Sequence, residues 1–576
     1  MIRRTVGLAA AVAVAAVLLP ATACAHAYLI RTAPAASRVL DRPPATVALT
    51  FDEAVEPRLA IISVTDARGT RETRGPVRRA AADPDTLVVA LRPGVAEGWY
   101  LVYWRAISGD GHPVQGAYTY AIGPNPGPAP QFVVPHLSAS ADTPQLLVTR
   151  WLMFLCVMTA IGLLALRLFI ARPLGRAGPS RGLAALTRAA VIACLLALIA
   201  IPVYLNFAVA EDSLHSVFDL GALVPLYRAT AFGRGYLDME VCFELLTLAA
   251  LVALWLDRPE RPLRSVAELA AGAGVVAGSA AVLLVPPAVG HAGQTSPRGL
   301  SVLFDFLHLV SGSVWIGGLI GLLVLWTTVA AEQRVAALGV VVPRFSAVAL
   351  GAVILLLISG TGSTVVHMPV LSALWETSYG VAILVKIGLL TAAVALASGN
   401  LLRTRPGLAA ARQDPARAES AARLLRRLVS AETIVVGGAV FTAALLSSLA
   451  PPPPAFAQSG SALAHVGPGR VAATVTRNGY RLQVIIAPNR AAAPDSFALR
   501  VARRGAPVRG ATVTLAFNHL QMEMPQQTYA LREVRPGLYQ RSAPALIMAG
   551  PWSLDFTVSP AAGRPVNALI VDQADG

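Results

Sequence analysis

Apolar residues follow two different rhythms along this chain. Between residues 145 and 450 they run in eight unbroken stretches, near 146–169, 185–209, 236–256, 266–289, 301–328, 345–366, 379–400 and 429–449. Each is long enough to cross the roughly 30 Å hydrocarbon core of a bilayer as a helix. On both sides of this region apolar and polar residues alternate instead, in short runs bounded by Pro, Gly and Asp. Runs at 46–51, 60–65 and 99–104 predict a small Ig-like antiparallel β-sandwich over residues 26–123. Runs at 471–476, 481–486, 511–517 and 552–558 predict a second β-sandwich over residues 463–576. Pro-rich linkers at 124–144 and 451–462 separate the three parts. The expected fold is multidomain: β-sandwich, eight-helix transmembrane bundle over 145–450, β-sandwich.

The first residues have a different character. Arg3 and Arg4, an apolar run over 6–19, Pro20 and then Ala23-Cys24-Ala25 have the layout of a secretory signal peptide over residues 1–25. Cys24 offers a rival cut as a lipoprotein cysteine, although Ala21 stands where such a signal usually carries Leu. Cleavage after Ala25 would make His26 the first residue of the mature chain.

Composition agrees with a membrane protein: 55% of residues are hydrophobic, 14% are charged and the mean hydropathy is +0.60. The net charge of +15 could suggest nucleic acid, but the arginines gather in short loops between apolar stretches. Loop 1–2 holds Arg172, Arg176 and Arg181, and loop 3–4 holds Arg258, Arg261 and Arg264. Loop 5–6 holds Arg334 and Arg344, and loop 7–8 carries seven arginines from Arg403 to Arg427. The alternate loops carry only Arg228, Arg234 and Arg298. The positive-inside rule therefore puts the arginine-rich loops in the cytoplasm and both mature termini outside. No nucleic-acid partner is expected; the partner is the lipid bilayer, here the cytoplasmic (plasma) membrane of a bacterium. Cys156, Cys194 and Cys242 lie singly in apolar stretches, so no disulfide framework is implied.

This topology places all nine histidines in outer domains, outer loops or the outer halves of spans. An N-terminal His26 offers its α-amine and imidazole Nδ1 as a chelating pair, and Asp110-Gly111-His112 can add a carboxylate and a second imidazole. Such N/O ligands suit Cu(II) better than Zn(II), while Asp-Gly-His is also an ordinary turn sequence. Within the spans, Asp305 and His308 share a helix face at i, i+3, with His291 before them and His367-Met368 at a similar depth. Ionisable residues inside a bilayer usually face a bundle interior and act there. Lys386 is the only lysine in the chain and falls inside the seventh span, where Asp305 or Glu376 could partner it, or where it could snorkel. Met153, Cys156, Met158, Met239 and Cys242 are potential soft ligands that equally well fill helix interfaces. In the C-terminal domain His519, Met522, Met524 and Met548 form a candidate Cu(I) cluster, with ordinary core packing as the other reading.

At these residues the chain resembles known families. Residues 26–123 resemble the CopC family through His26-Ala27-Tyr28-Leu29, Leu49-Thr50-Phe51-Asp52-Glu53 and Ser108-Gly109-Asp110-Gly111-His112-Pro113-Val114. That resemblance implies Cu(II) bound by His26, Asp110 and His112. It also implies no Met-rich Cu(I) site, because no methionine occurs between His26 and Gly123. The span region resembles the CopD family of copper-resistance and copper-uptake membrane proteins. The supporting motifs are Gly290-His291-Ala292, Asp305-x-x-His308, Trp315-x-Gly317-Gly318, Thr377-x-Tyr379-Gly380 with Lys386, and Asn400. The C-terminal part is similar to a YtkA-type domain through His519, Met522, Met524 and Gly550-Pro551-Trp552. The resemblance implies a non-enzymatic protein of copper homeostasis, in uptake or resistance, with the copper ion and other extracytoplasmic copper proteins as partners. His291, Asp305, His308, His367, Met368 and Lys386 form its candidate membrane path. A copper buffer or copper-dependent redox enzyme, merely anchored by the bundle, is the alternative.

Overall fold

The computed structural model describes residues 29–35, 38–51, 54–107, 113–124, 126, 143–177, 180–295, 297–368, 370–410, 413–449, 452, 462, 464–491, 494–520, 527–543, 545–546, 550–560 and 564–574. The signal-peptide reading, His26, Asp110, His112, Met522, Met524 and Met548 fall outside the described residues.

The N-terminal domain contains β1 (Leu29–Ala33), β2 (Val39–Leu40), β3 (Thr46–Phe51), β4 (Ile61–Asp66), β5 (Thr73–Arg79), β6 (Thr86–Leu91), β7 (Gly98–Ile107) and β8 (Pro113–Ile122). They form two four-stranded sheets, ordered β1-β3-β6-β5 and β2-β8-β7-β4. The period-two pattern on β3 turns Val47, Leu49 and Phe51 inward. Phe51 meets Trp104 of the other sheet edge-on, with ring centroids 5.5 Å apart. Strands β7 and β8 pair in continuous antiparallel register from Gly98↔Ile122 to Ile107↔Pro113. The segment carrying Asp110 and His112 thus connects two fully paired strands.

Eight helices long and apolar enough to cross a membrane follow. They are α1 (Pro144–Ala165), α2 (Ser180–Ser213), α3 (Ala231–Leu256), α4 (Val266–Val289), α5 (Arg298–Thr328), α6 (Ala331–His367), α7 (Ser378–Gly399) and α8 (Pro415–Leu446). Side-chain caps fix several starts: Thr143 caps α1, Ser265 and Glu268 form a capping box on α4, and Asp414 caps α8. Two helices, α6 and α8, begin about four turns before the apolar stretches that mark them. Their early turns carry Arg334, Arg417, Arg423 and Arg426, and hydropathy does not register such polar helix. Single π-type turns, Leu166–Ile170 and Asn400–Thr404, extend α1 and α7.

Helix α5 packs against α1, α6 and α8. Gly162 and Gly317 let the α1 and α5 backbones touch: a Cβ added at Gly162 would lie 2.7 Å from Gly317 Cα. Close approach through small residues is the usual currency of helix packing in lipid, where burial of apolar surface drives little. Outward positions such as Ile199, Leu248 and Ile358 stay exposed and apolar, as a lipid-facing surface requires.

One buried ionic network ties helix ends together. Arg167 pairs with Asp257 at 2.7 Å, and Arg172 pairs with Asp257 at 2.9 Å and Glu268 at 3.1 Å. Arg172 also donates to the carbonyls of Arg258 and Arg261. The α1–α2 connection is thereby fastened to the α3–α4 connection.

The C-terminal domain holds β9 (Ala464–Val466), β10 (Val471–Arg477), β11 (Tyr480–Ala487), β12 (Asp495–Arg503), β13 (Ala506–Pro507), β14 (Thr512–His519), β15 (Gln527–Arg535), β16 (Leu538–Ala543), β17 (Gly550–Ser559) and β18 (Val566–Ala574). The strand order is β10-β11-β12-β16-β15-β14-β17-β18-β9, with β13 paired to β12. β15 joins the two faces: its first half pairs with β14 and its second half with β16. Phe497, Phe517, Trp552 and Phe556 fill the core between them.

A polar knot crosses that core. Asn489 adopts a left-handed backbone (φ 67°), and its amide donates to Asp572 at 3.0 Å and to the Gly469 carbonyl at 2.9 Å. The backbone N–H groups of Asn489 and Arg490 donate to Asp495 Oδ1 at 2.6 and 3.1 Å. Burial, with a smaller push from Asp572, nonetheless raises the Asp495 carboxyl to about 7.

Two expectations follow from these buried charges. Asp257→Ala leaves two arginines without their anion and should cost roughly 3–5 kcal/mol, whereas Arg423→Ala on the exposed Glu419 pair should cost under about 0.5 kcal/mol. Thermal unfolding of the purified protein compares them. Because the folded Asp495 carboxyl titrates above the ordinary range near 4, the folded form holds its proton more tightly. The C-terminal domain should therefore lose stability as pH rises from about 4 through about 7, and Asp495→Asn should flatten that dependence in calorimetry.

Candidate functional site

Helices α5 and α6 face one another through a polar ladder inside an otherwise apolar bundle. On α6, Ser359, Ser363 and His367 recur every four residues and so lie on one face. On α5, Asp305 and His308 lie on one face at i, i+3. The Ser363 hydroxyl donates to Asp305 Oδ1 at 2.8 Å. His308 Nδ1 lies 3.3 Å from Ser359 Oγ. That hydroxyl also lies 3.2 Å from the Leu356 carbonyl. When it donates there, His308 Nδ1 is the donor to Ser359 and Nε2 carries the lone pair. Among the described residues no hydrogen bond occupies Nε2.

His367 repeats the arrangement at the end of α6. Its Nδ1 lies 2.8 Å from the Ser363 carbonyl, which can only accept, so the proton sits on Nδ1. Its Nε2 lone pair is met by the Thr295 hydroxyl at 3.2 Å. A hydrogen bond that fixes one ring nitrogen and presents the other is how proteins orient metal-binding imidazoles. Gly360 keeps room for the His308 ring, since a Cβ there would stand 3.1 Å from His308 Cε1.

Helix α7 supplies the charge. Lys386 and Tyr379 lie two turns apart on one helix face, and both are within electrostatic reach of Asp305. Lys386 is partly buried and makes no direct ion pair with Asp305.

The other predicted residues that fall among the described ones are placed as follows. His291 opens a short helix, His291–Gln294, directly after α4. Met368 follows α6 and packs, partly buried, with Val370 and Ala373 against Leu520 of the C-terminal domain. His519 ends β14 and is buried edge-on to Trp552, with ring centroids 4.9 Å apart. Met153, Met158, Met239 and Cys194 are buried, and Met158 belongs to the apolar core around Trp315. Among the described residues, no three His, Cys, Asp or Glu side chains converge as a metal site.

Sequence reasoning missed Ser359, Ser363, Thr295 and Glu432. The four-residue repeat Ser359-Ser363-His367 is visible in the sequence but reads as small interface residues. Glu432 of α8 is almost wholly buried. It accepts from Trp315 Nε1 at 2.7 Å and from Asn400 Nδ2 at 3.1 Å.

Comparison with known proteins falls on the same two regions. The CopC domain model matches residues 29–123, and the model for Copper resistance protein D matches residues 339–446. Copper transport protein CutJ of Bacillus subtilis (strain 168) is 28% identical over 389 residues, covering 68% of this chain and 70% of that protein. Copper resistance protein C of Xanthomonas campestris pv. juglandis is 32% identical over 116 residues, covering 19% of this chain and 91% of that protein. The crystal structure of CopC from Methylosinus trichosporium OB3b is 31% identical, covers 18% of this chain and 98% of its own, and aligns with a TM-score of 0.16. The eight apolar helices make the chain a membrane protein, and it belongs to the CopC–CopD copper-resistance family, with a CopC domain followed by a Copper resistance protein D region.

Proposed function

We propose that this protein captures Cu(II) outside the cell and carries copper inward across the cytoplasmic membrane. In this reading His26, exposed by cleavage after Ala25, closes a chelate with its own α-amine, and Asp110 and His112 complete the site. Copper then enters the bundle past His291 and His367, reaches His308, and is balanced by Asp305. Imidazole and carboxylate both take Cu(II), so this route needs no sulfur ligand and no reduction step within it. Lys386 stands within electrostatic reach of Asp305 in the empty path and is repelled when a cation arrives. The arginine distribution supports the orientation, with the ladder toward the outside. The name of the Bacillus subtilis relative points the same way. The observation that carries the proposal is the α5–α6 ladder itself, in which His308 Nδ1 meets Ser359, Asp305 accepts from Ser363, and His367 Nδ1 meets the Ser363 carbonyl.

Two measurements test this reading. His308→Ala should lower cell-associated copper by about 10–100-fold or more, the scale of a disrupted metal environment, while the protein still reaches the membrane. Unchanged uptake would refute transport and leave an anchored copper buffer. Adding one residue ahead of His26 in the full-length protein should weaken Cu(II) binding and alter its EPR spectrum; identical affinity would rule out the amine chelate.

A further inference from the structure

A second polar cluster lies deeper in the bundle, about 10 Å from His308 along α5 by helical rise. Its centre is Glu432, which lines a cavity of about 100 Å³ together with Trp315, Phe345, Ser346, Ser398 and Asn400. Such a volume holds a few water molecules. The cavity is otherwise apolar, and every polar atom named here is an oxygen or nitrogen: the carboxylate, the Asn400 amide, two serine hydroxyls and the Trp315 N–H. None is a soft ligand, and no imidazole reaches it. Copper's preferred donors are therefore absent, while a hard cation finds a carboxylate and an amide carbonyl. Asn400 Oδ1 is buried and has no hydrogen-bond partner, an acceptor left open where its own NH₂ already engages Glu432.

Charge balance sharpens the point. Each Glu432 oxygen accepts one hydrogen bond and has capacity for more. Among the described residues, no basic side chain pairs with it. Glu432 is the only titratable group among the described residues lining the cavity. The nearest charges on the contributing elements are engaged elsewhere or lie off the cavity. Arg344 of α6 donates to the Val340 carbonyl at 2.6 Å, Arg426 of α8 lies over the Trp326 ring, and Arg403 sits in the π turn after α7. On α5 the next ionisable group is His308. An ionised carboxylate at this depth is costly without a counter-charge, and here only a mobile cation can supply one.

We propose that Glu432 is a proton-exchange site: it takes a proton from a hydronium ion in the cavity, leaving neutral water, returns it to cavity water as hydronium when copper passes the α5–α6 ladder, and thereby couples proton movement to copper. The exchange moves a proton alone, between hydronium and a carboxylate oxygen, with no electron transferred. The coupling rests on the transport reading above; the titration of Glu432 itself does not.

The test uses the full-length protein in two ways. In infrared difference spectra a protonated carboxylic C=O band should grow on acidification and be missing in Glu432→Gln; a band that persists unchanged in that variant overturns the site. In proteoliposomes given Cu(II), one unit of imposed pH gradient should change copper accumulation by about tenfold for one coupled proton. Glu432→Gln should abolish that dependence and Glu432→Asp should restore most of it, which separates lost chemistry from lost folding. Copper uptake that keeps its full pH-gradient dependence in Glu432→Gln refutes the coupling, as does uptake driven by a sodium gradient instead. If wild-type protein moves no copper while the Glu432 band still titrates, the transport reading fails and the proton site stands.

Discussion

An ion cannot rest unpaired in hydrocarbon, and the arrangement of the bundle follows from that constraint. Most of its helical surface is apolar, so each ionisable side chain inside must be answered by another group. Asp305 is answered by the Ser363 hydroxyl and by the field of Lys386. Glu432 is answered by an indole and an amide, neither of which carries charge. Asp305 stands on helix α5, and Glu432 of α8 meets the same helix through Trp315. The packing that holds that helix is close: Gly162 and Gly317 bring α1 and α5 into backbone contact, and the buried Arg167–Asp257–Arg172 network fastens the connections between helices.

In the proposed path, order follows from ligand chemistry. The outer level offers imidazole nitrogens beside a carboxylate, a donor set that copper accepts. The inner level offers one carboxylate, an amide and hydroxyls with no imidazole, a poorer donor set for copper and one that a proton can use. A bundle with one kind of site for cargo and another for a coupling ion can keep the two from competing.

Much of this was legible in the sequence. Unbroken apolar stretches announce helices, and period-two alternation placed β3 at its observed residues because one face of the sheet is buried. The i, i+3 spacing of Asp305 and His308 announces a shared face. The rest depends on contacts that no local pattern encodes. Serines at 359 and 363 are unremarkable until α5 is packed against them. Glu432 sits just beyond the arginine-rich start of α8 and reads as part of that polar end; only the non-local approach of Trp315 and Asn400 shows it to be interior. Helix starts were displaced for the same reason, because α6 and α8 begin in amphipathic turns that hydropathy does not mark.

The central claim is that copper occupies the α5–α6 ladder on its way through the membrane. Anomalous scattering at the copper edge, from crystals of the full-length protein soaked in Cu(II), tests it most directly. The account predicts a copper peak within bonding distance of His308 Nε2, in addition to any held by the outer domain. Copper confined to the outer domain, with His308 Nε2 facing an empty ladder at saturating metal, would contradict it.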